Sequence, residues 1–238
     1  AEAACATHRL RSASFRPGPA SLSDIEHLSG TWLWGGLFSH HFGHQITRSL
    51  GRLSGLGDLG DIDGILFAQL DRRAAGAKNA ALFRRLLDGP GIQHPIRVVT
   101  APTEVERLHI GADLFSERTD CTATPAYVDW ARRQFLPGDA RPIPGSRLYV
   151  TRSRLDPALG RILCEDLLEE NLARHGYRIF APEAHGIPDQ LRRYAEAETI
   201  ITTDGSHGHL IAFARQSGQR VLMVARRQDA PVNLVNHI

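Results

Sequence analysis

Residues 199–210, TIITTDGSHGHL, decide how the rest of this chain is read. A β-branched run over 199–203 breaks at Asp204, Gly205 and Ser206, and a helix-compatible run follows from 207 to 216. That pattern predicts a strand, a tight turn of small residues and a helix N-terminus. Such a junction gathers backbone N–H groups at the positive end of a helix dipole, which makes it a ready anion site. Here it also carries a carboxylate, a hydroxyl and two imidazoles, His207 and His209. In isolation, Asp and Ser at such a turn need be no more than helix caps. The neighbouring segments argue for more.

Around this stretch, strands and helices alternate. Residues 147–151 (RLYVT) suit a strand, and 161–175 a helix with Ile162, Leu163, Leu167, Leu168 and Leu172 on roughly one face and Gly176 as its stop. Residues 177–181 suit a second strand, 188–197 a helix with Pro in its first turn, 199–203 a third strand, 207–217 a helix ending at Gly218, and 220–225 a fourth strand. Alternation of this kind predicts a parallel sheet with right-handed crossovers, with ligands beyond the carboxyl ends of its strands. Arg152-Ser153-Arg154 and Asp204 to Ser206 fall at two such ends.

The first half is less regular. Residues 32–38 are apolar and interrupted by glycine, and 44–56 read as an amphipathic helix through Ile46, Leu50 and Leu53. Strands are expected over 62–67 and 96–99, and helices over 79–87 and 125–136. Residues 137–146 (PGDARPIPGS) hold three prolines and two glycines and read as a linker. This places a domain boundary between residues 138 and 139, giving domains 1–138 and 139–238.

Composition sets outer bounds. The chain has 238 residues, 42% hydrophobic and 23% charged, with net charge +2, an ordinary globular balance that does not suggest nucleic acid. No run approaches the roughly 18 apolar residues of a membrane span. The first residues, AEAACATHRLRSASF, have no long apolar signal core and no initiator Met, so a processed or trimmed start is expected. Of 28 Lys and Arg only Lys78 is lysine, a bias that a GC-rich coding sequence produces, so arginine abundance alone carries no argument. Cys5, Cys121 and Cys164 form neither a disulfide framework nor a CxxC metal pattern, and a reducing compartment is expected.

Three constellations could carry chemistry. His40, His41 and His44 include an i, i+4 pair suited to a metal, but Gly43 intervenes and no HExxH glutamate is present. Partly exposed loop or helix-start histidines are the plainer explanation of the cluster than a metal site, and His44 is the favoured catalytic or ligand-contacting residue within it. Asp61 and Asp63 resemble a DxD metal element, although Asp63-Gly64 is also a common turn. Arg152 and Arg154 suit bidentate phosphate recognition, against the alternative of solvated loop arginines. No GxGxxG, GxxxxGK[ST] or GxSxG motif is present.

The motifs together resemble glycosyltransferase family 61, which includes bacterial capsular-polysaccharide and lipopolysaccharide-type transferases. FGHQITRSLGRL (42–53) is similar to the family's G-H-x-L-L-E-x-L-P-R-L element: Gly43, His44, Leu50, Arg52 and Leu53 match, while Thr47, Arg48 and Gly51 depart. GSRLYVTRSR (145–154) resembles its R-I-Y-V-S-R strand and loop. The stretch from Arg161 is similar to its R-x-x-N-E-x-x-L helix start, with Cys164 where Asn is usual. AETIITTDGSHGHLIAF (197–213) resembles its I-I-G-P-E/H-G-S/A-x-x-H/T-N element, with Asp204 at the acidic or His position and Gly205, Ser206 and His209 matching.

The resemblance implies an α/β protein of two Rossmann-like domains of the GT-B type: an acceptor-side domain over 1–138 and a nucleotide-sugar-binding domain, with a parallel sheet, over 139–238. It implies an inverting transfer of sugar from a nucleotide diphosphate donor to a glycan or lipid-linked acceptor in polysaccharide biosynthesis. The expected donor-binding residues are Arg152, Ser153, Arg161, Gly205, Ser206 and His209. His44 is the expected base, with Asp204 competing, and neither metal nor cofactor is required. The expected setting is cytoplasmic, with peripheral attachment at the inner face of the membrane left open, as is oligomeric state. The alternatives are a non-catalytic sugar- or nucleotide-binding module and a metal-dependent hydrolase built on His40, His41 and His44.

Overall fold

The computed structural model describes residues 25–39, 41–69, 77–88, 92–112, 114–116, 122–136, 138–160 and 162–226. The chain forms two compact units, Ala1–Arg84 with Ile92–Tyr127 and Arg85–Gly91 with Val128–Ile238. Each holds a four-stranded parallel sheet, so the protein is α/β. Among the described residues no helix is long and apolar enough to cross a membrane.

In the first unit the strands are β1 (Glu26–Phe38), β2 (Gly64–Gln69), β3 (Ile96–Val99) and β4 (Thr103–His109), in the order β3-β2-β1-β4. The long strand β1 slips register between Leu28 and Thr31 and between Trp34 and Gly36, where Gly30 and Gly36 take φ of +89° and +92°. These bulges account for the glycine interruptions in the sequence. Helix α1 (Phe42–His44) runs into a π turn (Gln45–Ser49) and a 3₁₀ run (Leu50–Asp58), not the regular amphipathic helix expected over 44–56. Gly51 and Gly57 lower α propensity there. The apolar positions still do what their spacing requires, since Ile46, Leu50 and Leu53 are fully buried. Helix α2 (Ala77–Asp88) supplies Phe83, whose ring meets Phe38 and Phe67 edge-on. A two-stranded antiparallel ribbon, β5 (Phe115–Ser116) with β6 (Thr122–Ala123), precedes α3 (Pro125–Phe135).

The second unit contains β7 (Ile143–Val150), α4 (Glu165–Arg174), β8 (Arg178–Phe180), α5 (Ile187–Glu196), β9 (Ala197–Thr203), α6 (His207–Ala214) and β10 (Arg220–Val224), with strand order β10-β9-β7-β8. The alternation expected over 147–225 is present, all pairs parallel. Ile187, Leu191, Tyr194 and Ala195 bury one face of α5 at helical spacing. All eight residues of α6 are buried, so its start is packed into the core. Truncating Phe213 to Ala there would cost about 3–5 kcal/mol.

Three expectations need correction in this unit. Helix α6 stops at Ala214, short of Gly218. Residues 143–146 of the expected linker form the start of β7, where Gly145 (φ +78°) donates to Glu198 Oε2 at 2.9 Å across a register slip. The apolar face expected over 161–175 holds only in part: the helix begins at Glu165, Leu163 in the turn before it is 93% exposed, and Leu167 is 55% exposed. Glu165 turns inward instead, with Leu168, Glu169 and Leu172 beside it at helical spacing and half-buried.

Candidate active site

The four strands of the second unit end level with one another. Val150 pairs with both Phe180 and Thr202, and Val224 pairs with Thr203. The residues that follow each strand therefore share one edge of the sheet, where parallel sheets bind ligands. Arg152 follows β7, Asp204 to Ser206 follow β9, and Arg226 follows β10.

Arg152 is half-buried, and its side chain is tethered by backbone carbonyls. Nη2 donates to Leu159 O at 3.1 Å and Nε to Gly160 O at 3.5 Å. Nη1 lies 2.9 Å from the point where a Cβ on Gly205 would stand, and makes no hydrogen bond among the described residues. Burial, then the neighbouring Arg226, disfavour its charged form, opposed by Asp204, Glu165 and Glu183. A guanidinium in that setting remains charged and gains from an added anion.

Asp204 is fully buried and ion-paired with Arg226, Oδ2 to Nη2 at 3.3 Å. Arg226 also donates from its backbone N–H to Asp204 Oδ1 at 2.6 Å and from Nε to Asp204 O at 2.9 Å. The carboxylate beside the expected phosphate position is thereby ion-paired with Arg226.

Gly205 is required by contact. An added Cβ would also meet His207 Cε1 at 2.8 Å, closer than real Cβ atoms approach, and Nδ1 at a tight 3.0 Å. Ser206 is the half-buried N-cap of α6, and His209 lies buried in its first turn. His207 Nε2 is 2.6 Å from Thr202 Oγ1. Burial, then the positive field of Arg152, pushes the His207 imidazole down to about 4, so it is neutral at neutral pH.

Glu165 organises the underside of the Arg152 loop. Its Oε1 accepts from Tyr149 OH at 2.9 Å and from the Arg152 backbone N–H at 3.0 Å, with Thr151 Oγ1 at 3.2 Å. Burial and this carboxylate raise the Tyr149 phenol well above its usual value. Ser153 donates its N–H to Thr151 Oγ1 at 3.0 Å, completing the turn.

In the first unit, His44 is half-buried at the end of α1, its ring 4.8 Å from that of His41. His40 and Arg161 lie outside the described residues. Asp63 Oδ2 accepts from the Thr31 N–H at 2.7 Å beneath the Gly30 bulge, a turn-capping role. Among the described residues no group of three His, Cys, Asp or Glu is placed to hold a metal. Two departures from the amino-terminal motif are packing positions: Thr47 is buried, and Gly51 packs against Tyr127, whose OH donates to Ile46 O at 2.6 Å.

Arg152, Ser153, Asp204, Gly205, Ser206 and His209 therefore belong to one unit, with Arg152 brought against Gly205, while His44 belongs to the other. Sequence reasoning misses Arg226, Glu165 and Thr151, and does not single out His207 from its turn. Arg226 was within reach, because the rule that ligand residues follow strand ends applies to the fourth strand as well as to the first and third.

The carboxyl edge of this α/β protein's second parallel sheet presents a half-buried arginine beside a buried helix N-terminus, an arrangement that suits an anion. The sequence pattern of glycosyltransferase family 61 matches residues 42–222, more than half of the chain, and the chain belongs to that family. It is a glycosyltransferase, an enzyme with sugar donor and acceptor substrates. Comparison with curated proteins gives no match.

Proposed function

We propose that this glycosyltransferase inverts the anomeric carbon while moving a sugar from a nucleotide diphosphate donor to a glycan or lipid-linked acceptor. In this reading its two parallel-sheet units are the two Rossmann-like domains of the GT-B type, and the second unit holds the donor. The supporting observation is Arg152 Nη1 set against Gly205 at the start of α6, 2.9 Å from the missing Cβ. Backbone N–H groups, helix dipole and guanidinium converge there on one anion.

The chemistry follows from that placement. The acceptor oxygen attacks the anomeric carbon, and the bond to the diphosphate breaks with its electron pair leaving on phosphate oxygen. Arg152 and the α6 N-terminus stabilise that developing charge, which is where a transferase gains most. Ser153, Arg161, Ser206 and His209 are the remaining donor contacts. His44 takes the acceptor proton. Asp204 is the weaker base, because a fully buried carboxylate paired with Arg226 has no open face for a proton.

Thermal unfolding of the purified chain with a panel of nucleotide sugars tests this. A donor at a hundredfold its Kd adds about 2.7 kcal/mol, a rise of roughly 5–10 °C for a chain of this size. One nucleotide sugar should raise Tm in wild type, with chelator present, and not in Arg152→Ala. No response from any nucleotide sugar contradicts the reading.

A further inference from the structure

We infer that Arg226 and Gly160 are positioning residues of the anion site, acting on the ligand through Arg152. The inference rests on the diphosphate reading above. Arg226 lies beyond the residues matched to the family, so the family pattern assigns it nothing.

Arg226 spends its donors on the protein. Three N–H groups go to Asp204, and Nη1 donates to Gly160 O at 2.9 Å, with Leu159 O at 3.4 Å. Its side chain is only 8% exposed. It is a strut between the turn after β9 and the loop that follows β7. Arg152 grips the same two carbonyls from its own side, Leu159 O at 3.1 Å and Gly160 O at 3.5 Å. Two guanidiniums, which repel each other, are thus held together by one pair of peptide oxygens.

Gly160 is the residue that permits this. Its φ is +76°, and a Cβ there would stand 2.7 Å from Arg226 Nη1. With any side chain at 160, either the carbonyl or the guanidinium must move. Because Nε and Nη2 of Arg152 are both spent on these carbonyls, their position sets the direction of Nη1. The chain of dependence runs from Asp204 to Arg226, to the carbonyls of Leu159 and Gly160, to Arg152, and from Nη1 to a diphosphate oxygen.

Calorimetric titration of the full chain with inorganic pyrophosphate tests the inference, because it reads affinity and stoichiometry separately. Gly160→Ala removes no charge. The pair Arg226→Met with Asp204→Asn removes both charges together, so neither is left buried alone. Arg152→Ala reports the anion site itself. The expected result is one-to-one binding by wild type, and a Kd raised about tenfold or more in Gly160→Ala and in the double variant at unchanged stoichiometry. Reduced stoichiometry at an unchanged Kd means a structural role only and overturns the inference. Wild-type affinity in both variants, with Arg152→Ala impaired, overturns it while leaving the anion site standing. Failure of wild type to bind pyrophosphate overturns both.

Discussion

Arg152 lies over Gly205 so closely that the Cβ glycine lacks would stand 2.9 Å from Nη1. The turn after β9 is therefore built around a missing side chain, with one guanidinium and one imidazole filling its place. Gly205→Ala must displace Arg152 or His207, and overpacking of this kind costs about 1–3 kcal/mol. We expect donor affinity to fall at least tenfold while the protein stays folded, measured by calorimetry alongside thermal unfolding. Affinity within twofold of wild type would show that Arg152 does not need this seat.

His44 and Asp204 should separate by phenotype. Loss of a general base costs about 10²–10⁴-fold in rate. His44→Ala is expected to lose transfer to that degree with donor affinity unchanged. Asp204→Asn leaves Arg226 unpaired in a buried site and should cost about 3 kcal/mol of stability. Urea unfolding and initial-rate measurements on both variants check this, and a fully stable but inactive Asp204→Asn protein would reverse the assignment.

The buried His207 predicts an acid-side loss of stability. Its folded value near 4 lies below the ordinary 6.5, so the unfolded chain binds more protons between those limits. Stability from this group is complete above pH 6.5 and is lost as pH falls toward 4. The expected loss between pH 7 and pH 5 is about 2 kcal/mol. His207→Gln should flatten that part of the profile in urea titrations. An unchanged slope in the variant would mean that other groups set it.

Cys164 sits in the left-handed region, φ +54°, immediately before α4. Asn tolerates that conformation better than Cys. Cys164→Asn is expected to raise stability by about 0.5–1 kcal/mol with no change in donor affinity, read by chemical unfolding. A destabilised variant would show that the Cys side chain is favoured there.

Much of the second unit was legible in the sequence because its strands are short apolar runs bounded by Gly or Pro. The edge position of Arg152 and Asp204 followed from parallel connectivity alone. The inward turn of Glu165 was hidden, since periodicity treats a charge at a helix start as solvent-facing, whereas Tyr149, Thr151 and the Arg152 backbone satisfy this one. Leu167 is left on the opposite, exposed face, and Leu163 lies in the turn before the helix. Strand β4, TEVERLH, escaped notice because an edge strand with exposed Glu104 and Glu106 offers no apolar run. The ion pair of Asp204 with Arg226 joins residues 22 apart and has no local signature.

The most direct measurement is release of nucleoside diphosphate from the matching nucleotide sugar, with acceptor present, by wild type, Arg152→Ala and Arg154→Ala. Arg154 is exposed in the same loop and serves as the charge-matched control. Removing a donor to a developing phosphate charge costs roughly 10²-fold in rate. The account predicts turnover by wild type, a loss of about that size in Arg152→Ala, and near-normal turnover in Arg154→Ala. Wild-type turnover in Arg152→Ala would contradict it.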